Sequence, residues 1–228
     1  MIHIQHVDAS ADILRSYQRL HDAGRLSRPA AFWDRCVTWL SARPGQTLLD
    51  VAGGSGALAA AARVRGLRAW TLDLVRGDLQ ADGEALPLSD ASVDRVANIG
   101  SLEHFRCPSK GVAEMARILA PDGLALILLP NAYGLRGPVL HAWRSGEICD
   151  DGQPIQRYAS LGEWQDLLVA GGLPPLRVHG CESLFAAPRR PAEWLDLLRH
   201  PSRVLGLAQD WLPLTMATEF IFVCRRAV

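Results

Sequence analysis

Neither charge is in excess in this chain. Its 228 residues carry 24 basic and 24 acidic side chains, a formal net charge of zero. A protein that grips a nucleic-acid backbone carries a basic surplus, so nucleic acid is not expected as a partner. Cysteine is scarce and unpatterned. Cys36, Cys107, Cys149, Cys181 and Cys224 are odd in number and form no CxxC pair. That excludes a zinc ribbon or a disulfide framework, and no metal is expected. Scattered cysteines of this kind act as small buried hydrophobes in a reducing compartment. Long apolar runs are also missing. The clearest strand-like stretch is Leu124 to Leu129, far short of the ~20 residues of a membrane helix. The opening MIHIQHVDASAD has neither the basic nor the apolar region of a signal peptide. A cytoplasmic protein without stable membrane insertion is the expectation. No repeat or low-complexity tract interrupts the chain, and nothing in the pattern specifies an oligomeric state.

What is present is ordinary globular material, 49% apolar and 21% charged. That length and composition suit one domain over residues 1–228. Residues 10–42 read as two helices, from Ile13, Leu14, Tyr17 and Leu20 and then Phe32, Cys36, Trp39 and Leu40. Thr47 to Val51 is a short buried strand, followed by the turn Ala52-Gly53-Gly54-Ser55-Gly56 and a helix from Ala57 to Val64. Ala69 to Leu72 is a second strand and Val93 to Ile99 a later one. Ser109 is expected to cap a helix carrying Val112, Met115, Ala116 and Leu119. Pro121-Asp122-Gly123 reads as a turn before the strand Leu124 to Leu129. Ser160 and Glu163 form a capping box. Leu176 to His179 and Thr218 to Cys224 complete the strands. The alternation predicts a doubly wound α/β sheet. Residues 132–159 and 183–216 are too long for ordinary connections and read as insertions.

The strand, glycine turn and helix at 47–64 form a nucleotide-binding corner, because the turn admits close backbone approach and the helix start presents free N–H groups. Gly54 to Ala59 matches GxGxxA, with Asp73 about 20 residues on, as an NAD(P)-dependent oxidoreductase would have it. The wider context points elsewhere. Leu48 to Gly56, LLDVAGGSG, resembles motif I (LLDxGxGxG) of the class I S-adenosylmethionine-dependent methyltransferases. Asp82 to Asp94 resembles that family's DAExLPFxDxSFD block. Leu102-Glu103-His104-Phe105 resembles its LEHV segment, and Arg117 to Gly123 its RVLKPGG turn. A carboxylate such as Asp50 beside the turn suits a ligand bearing an ammonium and a sulfonium better than a pyrophosphate.

The resemblance implies a Rossmann-like sheet, mostly parallel with an antiparallel last strand, and S-adenosyl-L-methionine as cofactor. Ala52, Gly53, Gly54 and Gly56 would lie under its methionine part, with Asp50 near its amino group. Asp73, with Leu74 beside it, would take the ribose, Asp82 and Gly83 the adenine, and Asn98 and Ile99 would line the methionine side. His104 is the candidate base, with Glu103 next to it a weaker one. Two departures stand out. Ala52 replaces the family's first glycine, and only eight residues separate Asp73 from Asp82. A parallel crossover needs about a dozen, so the helix there is predicted missing and the third strand short or absent. That trims one sheet edge and opens the adenine pocket. The N-terminal helices 10–42 and the insertions 132–159 and 183–216 would cap a small-molecule acceptor. Tyr133, His141, Asp150, Asp151 and Tyr158 are the candidate contacts, and 132–159 is expected to be a mobile lid. The function so implied is methyl transfer to that acceptor, most simply O-methylation of a glycan or secondary metabolite. A methyltransferase-like binding protein without activity is the other alternative.

Overall fold

A computed structural model of the chain describes residues 1–5, 15, 16, 19, 28–150, 152–181 and 213–227. Strands β1 (Ile2–Gln5) and β7 (Ile155–Tyr158) pair antiparallel as a separate ribbon. The main sheet holds β2 (Thr47–Val51), β3 (Arg68–Asp73), β4 (Leu79–Gln80), β5 (Val93–Ile99), β6 (Leu119–Pro130), β8 (Pro175–Cys181) and β9 (Glu219–Arg225). Their spatial order is β4-β3-β2-β5-β6-β9-β8. β2 to β6 run parallel, whereas β9 is antiparallel to both β6 and β8. The expected mostly parallel sheet with an antiparallel last strand is therefore what the chain forms.

Alternation along each strand divides the core between two faces. Leu48 on β2 packs with α1 (Ala30–Trp39) and α2 (Ala57–Val64) through Phe32, Cys36, Leu40 and Leu58. Its neighbours Leu49 and Val51 pack with α3 (Pro108–Ile118) and α5 (Leu161–Ala170) through Met115, Ile118, Trp164 and Leu168. Each such fully buried aliphatic or aromatic side chain contributes roughly 1.5–3 kcal/mol relative to exposure. A further helix, α4 (Leu140–Ser145), is short and buries none of its residues.

Local signals were realised with two corrections. The capping box forms as expected, with Glu163 N–H donating to Ser160 Oγ and Ser160 N–H to the Glu163 carboxylate. Helix α3, however, starts at Pro108 after Cys107, and Ser109 Oγ instead meets Cys107 Sγ at 3.3 Å. Proline is pre-set for a first helical position, where its missing N–H costs nothing. Pro121-Asp122-Gly123 lies inside β6 rather than before it. There β5 and β6 slip register, Val93 pairing with Leu119 and Arg95 with Leu124, so the turn is absorbed as an irregularity in a longer strand.

The trimmed edge matches its prediction. Residues 74–78 are a series of bends without a helix, and β4 has two residues. The loop folds back on its own strand. Asp78 Oδ2 accepts from Thr71 N at 2.9 Å and from Arg63 Nη2, which with the Thr71 bond leading holds its carboxyl below the usual range. The first of the two expected N-terminal helices and most of 183–216 lie outside the described residues, and α1 is the second helix. No helix among the described residues is long and apolar enough to cross a membrane.

Candidate functional site

The glycine turn sits at the carboxyl end of β2, between the ends of β3 and β5. Ala52, Gly54 and Gly56 all have positive φ, at 54°, 53° and 74°. Gly54 and Gly56 adopt this freely, but Ala52 pays roughly 1–2 kcal/mol for its Cβ. Space is short at two of the glycines, prohibitively so at Gly53. A Cβ on Gly53 would lie 2.3 Å from Asp50 Oδ2, and one on Gly56 would lie 3.0 Å from Thr71 Oγ1.

Asp50 is 1% exposed and its Oδ1 has no hydrogen-bond partner. Burial, and secondarily the Asp73 carboxylate, push its carboxyl up to about 8. Asp73 braces the turn from β3. Its Oδ2 accepts from Gly54 N at 3.1 Å and its Oδ1 from Val75 N at 2.9 Å. Leu74 beside it is exposed. Asn98 is fully buried and spans two elements, Nδ2 donating to Val51 O at 3.0 Å and Oδ1 accepting from Leu102 N at 2.8 Å. Its amide holds the turn to the next loop. Ile99 is half-buried. Ser101, which the motif reading passed over, donates to Ala52 O at 3.0 Å and closes the same junction.

The Asp82 loop is locked from beneath. Asp82 is exposed, its Oδ1 accepting from Glu84 N. Gly83 is buried where a Cβ would meet the Phe105 ring at 2.5 Å, and the same ring lies 2.6 Å from the Cβ position of Gly111 on α3. Arg117 ties the stretch to α3 by donating to Leu86 O, Leu88 O and Asp90, and it holds the Glu114 carboxyl below its usual range. Phe105 was quoted only as part of a motif. Its role depends on two glycines 28 residues apart in sequence, and no local pattern reveals that.

His104 ends the 3-10 turn Leu102–His104 after β5. Its Nδ1 faces Ile155 O on β7 and its Nε2 lies 3.6 Å from Glu103 Oε1. A carbonyl only accepts, so Nδ1 carries the hydrogen and Nε2 is the basic nitrogen. Arg157, also on β7, donates to Glu103 O, Phe105 O and Arg106 O. Close by, Arg28 before α1 makes a two-pronged ion pair with Glu219 of β9 at 2.7 and 2.9 Å.

The acceptor-side candidates are dispersed. Tyr133 is 64% exposed, and His141 on α4 and Asp150 are exposed too. Tyr158 is buried in β7, its hydroxyl 4.0 Å from Cys149 Sγ. Asp151 lies outside the described residues. The segment 132–159, expected to be a mobile lid, is not of one kind. Ile155 to Tyr158 are buried and paired with β1, whereas 141–148 are exposed.

Residues 49–127 match the family described as a methyltransferase domain. The chain is 33% identical to a ubiquinone/menaquinone biosynthesis C-methyltransferase of Bordetella avium over 180 residues, covering 64% of this chain and 70% of that protein. It is 36% identical to an uncharacterized methyltransferase of Mycobacterium avium over 98 residues, 36% of this chain and 39% of the other. For several such curated relatives the chain spans less than two thirds of their length. Among solved structures, the 1,6-didemethyltoxoflavin-N1-methyltransferase of Burkholderia thailandensis, with bound 1,6-didemethyltoxoflavin and S-adenosylhomocysteine, shares the fold. It gives a TM-score of 0.63 at 18% identity over 99% of this chain and 94% of the other.

Proposed function

Because the chain belongs to the class I S-adenosylmethionine-dependent methyltransferases, we propose that it methylates a hydroxyl of a small-molecule acceptor beside His104. The observation that carries this reading is the glycine turn laid over Asp50. A side chain at 53 is excluded and one at 56 is crowded, and the partnerless, buried Oδ1 of Asp50 suits a cationic ligand, so the turn fits the family's cofactor. Asp50, Ala52, Gly53, Gly54 and Gly56 would hold its methionine part, and Asp73 with Leu74 its ribose. Asp82 and Gly83 would hold the adenine, with Asn98 and Ile99 alongside. When bound, S-adenosylmethionine supplies an electrophilic methyl group on a sulfonium.

The chain's own work is positioning, water exclusion and proton removal. Nε2 of His104 would take the hydroxyl proton, and the Glu103 carboxylate 3.6 Å away would stabilise the imidazolium. Residues 132–159, including Tyr133, His141, Asp151 and Tyr158, are assigned with 10–42 and 183–216 to the acceptor cap of a single domain. The Bordetella avium relative, named a C-methyltransferase of ubiquinone/menaquinone biosynthesis, supports a small-molecule acceptor and keeps methylation at carbon open. Ring C-methylation, which also removes a proton, is the second outcome to distinguish. Labelled S-adenosylmethionine offered with phenols, quinols and glycan hydroxyls should yield a methylated product and S-adenosylhomocysteine. His104→Gln should lower turnover by roughly 10²–10⁴-fold with cofactor affinity unchanged. Full turnover in that variant would remove His104 from the chemistry. Bound cofactor without transfer to any hydroxyl or ring would favour a binding protein.

A further inference from the structure

Asp50 has a neighbour that no motif identifies. In the β2–β3 register Asp50 is paired with Thr71, so the two side chains leave the sheet on one face, about 4.8 Å apart. Thr71 is 2% exposed, and its Oγ1, like Asp50 Oδ1, has no hydrogen-bond partner. Both lie on the α1/α2 side of the sheet, under the turn. The Cβ position of Gly53 falls on the Asp50 carboxyl and that of Gly56 on the Thr71 hydroxyl. Two orphaned polar atoms in the core, each close beneath a turn glycine, need a reason, since leaving them unpaired is unfavourable.

We infer that Asp50 and Thr71 form a proton-exchanging floor for the cofactor's ammonium. Asp50 is a neutral acid in the free protein and ionises when the cation arrives, and Thr71 donates a hydrogen bond to the carboxylate so formed. This rests on the methyltransferase reading and adds to it a residue and a linked proton. In the exchange the Asp50 O–H bond breaks, its electron pair stays on the carboxylate, and the proton leaves to the buffer. The ammonium enters with all its hydrogens.

The surroundings favour the neutral acid before binding. From β3 the Asp73 carboxylate opposes a second negative charge, and burial pushes the Asp50 carboxyl up to about 8. From α1 the group facing it is the Cys36 thiol, itself driven far above its usual range by burial and therefore uncharged. From β5 come Ala97 and the Asn98 amide, which is already committed to Val51 and Leu102. A fixed positive charge on the ligand reverses that balance.

The test is calorimetric titration of the full chain with S-adenosylhomocysteine, which carries the same ammonium, in buffers of different ionisation enthalpy. At pH 7 roughly 0.9 proton should be released per ligand bound, and affinity should rise roughly eightfold from pH 6.5 to 7.5. Asp50→Asn should bind with no proton release and no such pH dependence. Thr71→Val keeps the shape, so circular dichroism should stay unchanged, while affinity should fall roughly tenfold. Thr71→Ser should restore it. Tight binding by the wild type with no proton released would overturn the inference and leave the methyltransferase reading intact. Wild-type affinity in Thr71→Val would remove Thr71. Failure to bind S-adenosylhomocysteine at pH 6, 7 and 8 would overturn the methyltransferase reading, and this inference with it.

Discussion

Residues 47–106 and residues 132–159 meet at the same end of one sheet, yet they are built in opposite ways. The first stretch is fastened atom by atom. Gly53 and Gly56 sit on buried polar groups, Gly83 and Gly111 clasp the Phe105 ring, and Asn98 bridges two loops. The second carries large apolar side chains in the open. Trp143 is 81% exposed, and Tyr133 and Ile148 are exposed as well. A corner that recognises an invariant cofactor is constrained by close backbone approach, and such constraints appear in sequence as glycines and short polar residues at set spacings. An acceptor side has only its own ligand to satisfy, so its residues follow no shared spacing.

The strongest way to break this contrast is pH. Asp50 in the folded chain keeps a proton that the unfolded chain releases near its ordinary value, so its stabilising contribution is full below about pH 4 and is lost as pH rises toward about 8. Stability of the free wild type relative to Asp50→Asn should therefore fall by on the order of 1.4 kcal/mol per pH unit across that window, several kcal/mol in all. Denaturant melts at pH 5 and pH 8 check it, and parallel stabilities would show that the carboxyl is ionised throughout. Next in size is Trp164 of α5, which is fully buried and donates from Nε1 to Pro130 O. Trp164→Ala should cost about 3–5 kcal/mol in urea unfolding.

Hydrogen exchange separates the two halves of 132–159. Amides of Ile155 to Tyr158, buried and paired with β1, should exchange at least about a hundredfold more slowly than those of 141–148. Equal, fast rates throughout would make the whole of 132–159 a single mobile lid. At the turn, Ala52→Gly relieves a left-handed alanine and should stabilise by roughly 0.5–1 kcal/mol after the entropy of glycine is counted. The smallest effect is expected at Trp143, where replacement by Ala should stay within about 0.5 kcal/mol. A larger loss would mean that the exposed face of α4 is covered in solution.

Much of the glycine-turn corner was legible in the sequence. Leu48 to Gly56 reads as strand and turn because alternation and glycine spacing are local properties, and the gap from Asp73 to Asp82 is arithmetic that leaves no room for a helix. Thr71, Phe105 and Arg157 were not legible. Thr71 matters through strand register, Phe105 through two distant glycines, and Arg157 through carbonyls about 50 residues away. Helix α3 starts two residues before the position expected with Ser109 as its cap, because Ser109 resembles a cap more than the Cys107-Pro108 pair does. The burial of Tyr158, a candidate acceptor contact, was not legible either, because the pairing of 155–158 with β1 joins segments some 150 residues apart.

The most direct measurement is binding of S-adenosylhomocysteine to the wild type and to Asp73→Ala, with NADH and NADPH as controls. The ligand should bind the wild type saturably, and loss of the carboxylate that holds Gly54 and Val75 should weaken it by about 1–3 kcal/mol. The nicotinamide cofactors should give no heat. Binding of NADH or NADPH at a site abolished by Asp73→Ala, with S-adenosylhomocysteine ignored, would contradict the assignment of the turn.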